Sequence, residues 1–310
     1  MPESQLASYF QRPIIWLNNI ALYLKNLLYP LRLSAVYGLP VPYLVHQWWF
    51  YILPIVPISL AFGLYFIGKK RQILLLAGSL FLLGFLPTSG LVSFSFQLVS
   101  VVADRYLYFA FIGISLAISV VAERKNFSII LAIILLIFTL ISAFKQIPVW
   151  QNELKLWNYA VSHAQYDKYY AKNALASAWH NEGWDLARRG ETRQALAIFD
   201  KIIANKFNHK LYFIGNTFYL RGVIMMQQKH YQKALSDFDK SIASKHKNSN
   251  SDEGKIGSHE GKIAVFTALR QCENASFEID FMRKNKLKIP VFLLTDFHKN
   301  CPKPLPPRID

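Results

Sequence analysis

Carboxylates are nearly absent from the first half of this chain. Residues 1–148 contain only Glu3, Asp104 and Glu123, whereas residues 150–310 are rich in Lys, Asp, Glu, Asn and Gln. A segment with so few acids and long apolar runs cannot present an ordinary charged surface to water, and a bilayer is the solvent that accepts it. Spanning about 30 Å as a helix takes roughly 20 apolar residues. Four stretches come close and are predicted membrane helices: Leu44–Ile67, Gln72–Leu91, Tyr106–Ala122 and Phe127–Phe144. Pro87, Ser89 and Gly90 are placed to end the second early, and LVSFSFQLVSVV reads either as loop or as a re-entrant stretch.

Ahead of these spans, RPIIWLNNIALYLKNLLYPLRL repeats Ile14, Leu17, Ile20, Ala21, Leu24, Leu27, Leu28 and Leu31 at helical spacing. Asn18, Asn19, Lys25 and Asn26 fall between them, which predicts an amphipathic helix lying in the membrane interface. It lacks the short apolar core and small-residue cleavage site of a signal peptide. The short loops set the orientation: Lys69, Lys70 and Arg71 follow the first span, Arg124 and Lys125 follow the third, and such clusters mark the cytoplasmic side. With an even number of crossings, VVADRYLYFAFIG and the whole polar half then lie outside the cytoplasm. The expected location is an inner, or plasma, membrane with the polar half on the non-cytoplasmic side.

The chain's net charge is +16, but its basic residues are scattered along the polar half without an Arg-rich block or a recognition motif, so anionic headgroups explain it and nucleic acid is not an expected partner. No CxxC, HExxH or clustered His/carboxylate pattern indicates a metal, and neither metal nor cofactor is expected. Cys272 and Cys301 are either a disulfide or two free thiols; the sequence leaves both open.

The polar half repeats itself. WHNEGWDLARRGETRQALAIFDKIIA, from Trp179, aligns with FYLRGVIMMQQKHYQKALSDFDKSIA, from Phe218, at one constant offset of 39 residues. Trp179, Gly183, Ala195 and Phe199 in the first copy match Phe218, Gly222, Ala234 and Phe238 in the second. Glycine in one helix and alanine in the next let antiparallel helices approach, and the aromatic fills the space between hairpins. This pattern resembles the tetratricopeptide repeat, whose period is about 34 residues. The longer spacing places extra residues in NKFNHKLYFIG, and the family's closing proline is absent. A weaker third copy, SHEGKIAVFTALRQCENASFEIDFMRK, has Ala275 in the small-residue place but Ile263 where glycine is expected. VWQNELKLWNYAVSHAQ, with Trp157 and Ala160, reads as a lone capping helix.

The fold class predicted is therefore all-α, a membrane domain of about four transmembrane helices followed by a soluble repeat solenoid. The division is an interfacial helix and loop over 1–43, membrane helices over 44–148, repeats over 149–288 and an extended Pro-rich tail over 289–310. The resemblance implies a peptide groove along the first helices, at His180, Trp184 and Arg188 of the first copy and Asn216, Tyr219 and Gln227 of the second.

The order of features, from LLYPLRLSAVYG through PTSG and ADRYLY into the repeats, is similar to the C-terminal part of GT-C-type glycosyltransferases carrying tetratricopeptide repeats. That group includes the transmembrane and tetratricopeptide repeat-containing O-mannosyltransferases. In the family, catalytic carboxylates lie in an early external loop and the donor is a lipid-linked sugar. This chain has no counterpart to that loop, so no catalytic residue is assigned. Two functions compete. One is a non-catalytic, membrane-anchored scaffold that binds a protein or peptide. The other is a subunit or truncated form of a glycosyltransferase using a polyprenyl-phosphate sugar. In the second, Arg105 contacts the lipid phosphate, Asp104 fixes Arg105 by a charge-assisted hydrogen bond, and Tyr106 and Tyr108 flank them.

Overall fold

The computed structural model describes residues 7–30, 33–66, 70–92, 95–122, 129–164, 166–204, 213–244 and 249–302. Every regular element among them is helical: α1 (Arg12–Leu28), α2 (Val41–Leu44), α3 (Ile55–Tyr65), α4 (Arg71–Phe85), α5 (Phe111–Ala122), α6 (Ile129–Gln146), α7 (Glu153–His163), α8 (Tyr169–Arg188), α9 (Thr192–Ile203), α10 (Ile214–Gln227), α11 (Tyr231–Ile242), α12 (Ser249–Ala268), α13 (Cys272–Lys284) and α14 (Val291–Asn300), with short 3-10 turns between them. Two compact units form, Met1–Leu175 and Ala176–Asp310. Glu3, Lys69, Glu123, Arg124 and Lys125, on which part of the orientation argument rests, lie outside the described residues, as does most of NKFNHKLYFIG.

In the first unit the asparagines of α1 do not face outward, contrary to the interfacial-helix expectation. Asn18 and Asn19 are fully buried. Asn18 donates to the Phe50 carbonyl at 2.8 Å and Asn19 to the Ser89 carbonyl at 2.9 Å. Tyr23, on the same face, both donates to the carbonyl and accepts from the amide of Ala103. These polar groups satisfy loop backbone that would otherwise be stranded away from water. The apolar face of α1 meets α3, α4 and α5 around a cavity of about 490 Å³.

The predicted spans are cut shorter than the apolar runs suggest. Pro54 precedes α3, so the first helix begins at Ile55 instead of Leu44, because proline lacks the amide that would continue a helix from upstream. Tyr106 belongs to a 3-10 turn, Asp104–Leu107, and the third helix begins at Phe111. Among the described residues one helical stretch, Arg71–Thr88, is long and apolar enough to cross a membrane. Glycines bring α4 and α5 close: a Cβ on Gly84 would lie 2.8 Å from the Ala110 amide, and one on Gly113 would collide with the Ala77 carbonyl.

In the second unit, α8 from Ala176 onward pairs with α9, α10 with α11, and α12 with α13. The three hairpins share one turn. Gly190, Lys229 and Arg270 each take a left-handed backbone, at φ 79°, 61° and 56°. The residue after each, Glu191, His230 or Gln271, bonds back to the carbonyl of Leu186, Met225 or Phe266. This is the Schellman closure, for which glycine is preferred because a Cβ crowds the left-handed region. Lys229→Gly and Arg270→Gly are each expected to raise stability by about 0.5–1 kcal/mol, read as a shift in the denaturation midpoint. A fall in stability at both would show that the turns are not strained.

Further repeat positions carry the packing. Arg221 donates to Asp237 of its own hairpin, at 2.6 and 2.7 Å, and to Asp200 of the preceding one. Lys262 does the same with Glu278 and Asp239. A cation on α10 and another on α12 thus each bridge two carboxylates from successive second helices, and mutual pairing offsets the desolvation of Asp237 and Glu278. One row along, Lys201 lies over the Trp179 ring at 3.9 Å and Lys240 over Phe218 at 5.7 Å. The third hairpin exchanges the partners, stacking His259 of the first helix on Phe281 of the second at 4.5 Å.

Two sequence expectations change here. The third copy is as regular as the others, because Ile263 in place of glycine is matched by Ile279 in place of phenylalanine, and both are buried in one cluster with Met282 and Leu293. The shorter Ile279 removes the ring edge that a Cβ would meet at Gly183 or Gly222, so a side chain fits at 263. The segment expected as an extended tail contains α14, whose Leu293, Leu294 and Phe297 recur at helical spacing and pack on α12 and α13. The proline cluster that suggested a tail falls at its end, mostly in 303–310, outside the described residues. Cys272 and Cys301 form a disulfide, fastening the start of α13 to the end of α14.

Candidate functional site

The first helices of the three hairpins enclose a pocket of about 300 Å³ lined by His180, Asn181, Trp184, Asn216, Tyr219, Leu220, Glu253 and Gly254. Four of the six groove residues read from the sequence converge on it: His180, Trp184, Asn216 and Tyr219. Arg188 and Gln227 do not; both are exposed near the hairpin turns.

Glycines on α12 make the pocket's third wall. Gly254, Gly257 and Gly261 share one helical face, and a Cβ at each would press on Asn216, the Tyr219 ring and the Phe238 ring respectively. The closest of these contacts, at 2.5–3.2 Å, are tighter than van der Waals separation allows, so α12 approaches α10 only because these positions lack side chains. Asn181 and Glu253 are not among those six: Asn181 is not one of the family's groove positions, and Glu253 lies ahead of the third copy, which begins at Ser258. The glycine stripe on α12 was the available signal that a helix seats closely there.

His180 is mostly buried and its Nδ1 lies 2.8 Å from the Thr217 hydroxyl, with the ring tilted 5.0 Å from Phe213. Burial disfavours the imidazolium and lowers its pKa to about 4. Between pH 6.5 and about 4 the unfolded chain therefore binds a proton that the folded one refuses. Stability is complete above pH 6.5 and falls as the pH drops through that window, by up to roughly 3 kcal/mol. His180→Gln is expected to flatten this acid limb in denaturation series at successive pH values. An unchanged limb would assign it to other groups.

In the first unit, Asp104 and Arg105 part company. Asp104 accepts from the Tyr37 hydroxyl at 2.8 and 2.9 Å and from the Asn26 amide at 3.3 Å. Burial pushes its carboxyl pKa up, against the pull of these hydrogen bonds. Burial, reinforced by the nearby carboxylate, also raises the Tyr37 hydroxyl. The expected hydrogen bond from Arg105 to Asp104 is thus replaced by ties to α1 and the loop after it, which hold the ADRYLY turn in place. Tyr37 and Asn26 are 67 and 78 residues away in the chain, a distance over which no spacing rule operates.

Arg105 is exposed and rests on aromatic rings instead, 4.6 Å from the Phe96 centroid and 5.0 Å from that of Tyr106. Tyr106 in turn meets Phe96 edge-on, while Tyr108 is exposed. Among the described residues no group of three or more His, Cys, Asp or Glu is gathered as a metal site would require. No family model, curated protein or solved structure matches the chain.

Proposed function

We propose that this protein is a membrane-anchored scaffold in which a tetratricopeptide-like stack of hairpins binds a polypeptide outside the cytoplasm. The observation that carries the reading is the pocket formed by His180, Trp184, Asn216 and Tyr219 on successive first helices. A concave surface built from repeated helices, with aromatic and amide groups along it, suits an extended chain.

Anchorage is supported by α6. Ile133, Ile134, Leu136, Ile137, Phe138, Leu140, Ile141 and Phe144 are all exposed, and together they cover more than half of the helix circumference. An uncovered apolar face of that width suits lipid. The outward faces of α3, α4 and α5 are similarly aliphatic, so four spans remain our reading, with local adjustments of the bilayer accommodating the shorter ones. The Cys272–Cys301 disulfide supports a non-cytoplasmic second unit, since such bonds persist in oxidising compartments.

Protease added to sealed vesicles of known sidedness tests the arrangement. Digestion of 176–302 from the non-cytoplasmic face only is expected, and digestion from the cytoplasmic face alone would overturn it. Cross-linking from a photoreactive residue at Trp184 in the intact protein should capture a polypeptide; no adduct beyond background would remove the scaffold role.

One observation favours a second reading. Arg105 is exposed and makes no ion pair with a carboxylate among the described residues, which suits a phosphate such as that of the polyprenyl-phosphate sugar implied by the resemblance to glycosyltransferases. Co-purification of such a lipid, lost in Arg105→Ala, would support this reading.

A further inference from the structure

The groove has a chemical bias. His180, Tyr219 and Glu260 occupy the same position in three successive hairpins, each one residue beyond the aromatic or histidine that stacks against the second helix. That position runs from a neutral imidazole through a phenol to a carboxylate, so the row becomes acidic toward α12.

Glu260 is partly buried, and its charge reaches the Tyr219 hydroxyl. Glu253 stands two helical turns earlier on the same face of α12 and lines the pocket directly. The other buried carboxylates of this unit, Asp237 and Glu278, are each held by a cation from a first helix. Glu253 and Glu260 are in no ion pair among the described residues, although the chain carries +16 overall and basic side chains abound. A carboxylate beside a low-dielectric wall favours a counter-charge, and Glu253 has none among the described residues. Facing it are two aromatic surfaces. Tyr219 is anchored with its ring on Gly257, and the Trp184 ring is half-exposed at the rim. Aromatic faces and carboxylates together attract a cation on an aliphatic stem, through the ring quadrupole and through charge. An acidic side chain would meet like charge here, and a purely apolar one would leave both carboxylates without a partner.

Resting on the peptide-groove reading above, we propose that this pocket receives a lysine or arginine side chain of an extended polypeptide. Trp184 and Tyr219 form its walls, Glu253 in the lining is its counter-charge with Glu260 farther along the same helical face, and Asn216 lies where it can engage the ligand's backbone.

The test uses the full chain in a neutral detergent and short Ser/Ala peptides, blocked at both ends and labelled, that differ only at one central residue. Anisotropy titrations should show lysine and arginine peptides binding about tenfold more tightly than the norleucine peptide. The glutamate peptide should bind most weakly, against the sense of the protein's net charge. The double variant Glu253→Gln, Glu260→Gln should bring lysine and norleucine peptides to equal affinity. Equal binding of lysine and norleucine peptides by the unaltered protein would overturn the cation pocket and leave the peptide groove standing. Preference for the glutamate peptide would do the same. Failure of every peptide to bind would overturn both.

Discussion

Phe238→Ala should lower the stability of the second unit by about 3–5 kcal/mol, the cost of emptying a fully enclosed aromatic site. Phe238 is completely buried between α10 and α12, with Gly222 on one side and Gly261 on the other. A Cβ at Gly222 would sit 2.7 Å from the ring, and one at Gly261 would sit 2.5 Å from it. The side chain therefore acts as a key between two hairpins, and its loss opens a cavity that neither helix can fill without moving. Gly261→Ala sharpens the point because its sign is diagnostic. On an exposed helix that change would stabilise by about 1 kcal/mol through helix propensity. Here it should destabilise, by about 1–3 kcal/mol, because the new methyl meets a ring held on all sides. Combined with Phe238→Leu, the glycine substitution should cost less than it does alone, and the shortfall measures the contact. Urea titrations of the detergent-solubilised protein followed by tryptophan fluorescence supply all these values. A stabilising Gly261→Ala would mean that α12 does not seat on Phe238.

Local periodicity made the first two hairpins legible, since Gly183, Ala195 and Phe199 recur with one offset and each type has a packing reason. The third was hidden by compensation. Ile263 violates the glycine rule, yet Ile279 lacks the ring that this glycine accommodates in the other two copies, and only the pair together obeys the constraint. The spacing of the third copy also differs by two residues, as the turn residues Gly190, Lys229 and Arg270 show, so a fixed offset could not find it. Half of the pocket's lining was named from the sequence, because groove positions follow from helix geometry. The wall on α12 was not, for the same reason that its hairpin was underrated. In the first unit, composition revealed the apolar runs but not where the helices begin: Pro54 and the ADRYLY turn decide that locally. The partners of Asp104 could not be inferred at all. A carboxylate beside an arginine invites an ion pair, whereas the fold supplies a tyrosine and an asparagine from distant segments and leaves the arginine to aromatic rings.

Removing the disulfide is expected to cost about 3.5 kcal/mol, the loop-closure entropy restored to an unfolded chain when a link across 29 residues is cut. The site gives that number a structural meaning. Cys272 opens α13 and Cys301 closes α14, so the bond joins both ends of a segment containing α13, the following turn and α14. α14 contributes Leu293, with Leu294 and Phe297 beside it, to the cluster built on Ile263, Ile279 and Met282. It is a short helix, and a helix of that length has little stability of its own in water. Cys301→Ser, paired with Cys272→Ser to avoid a stray thiol, should therefore loosen α14 first. Hydrogen exchange should rise over 291–300 and over the α12 face that α14 covers, while 214–242 keeps its protection until global unfolding. Reductant should act on the unaltered protein in the same order and have no effect on the double variant. If membranes quenched with an alkylating agent yield both thiols modified, the bond is absent in the native compartment, and the external placement of this unit loses its chemical support. If the bond is present but its removal leaves exchange over 291–300 unchanged, apolar packing alone holds α14, and the disulfide constrains only the unfolded chain.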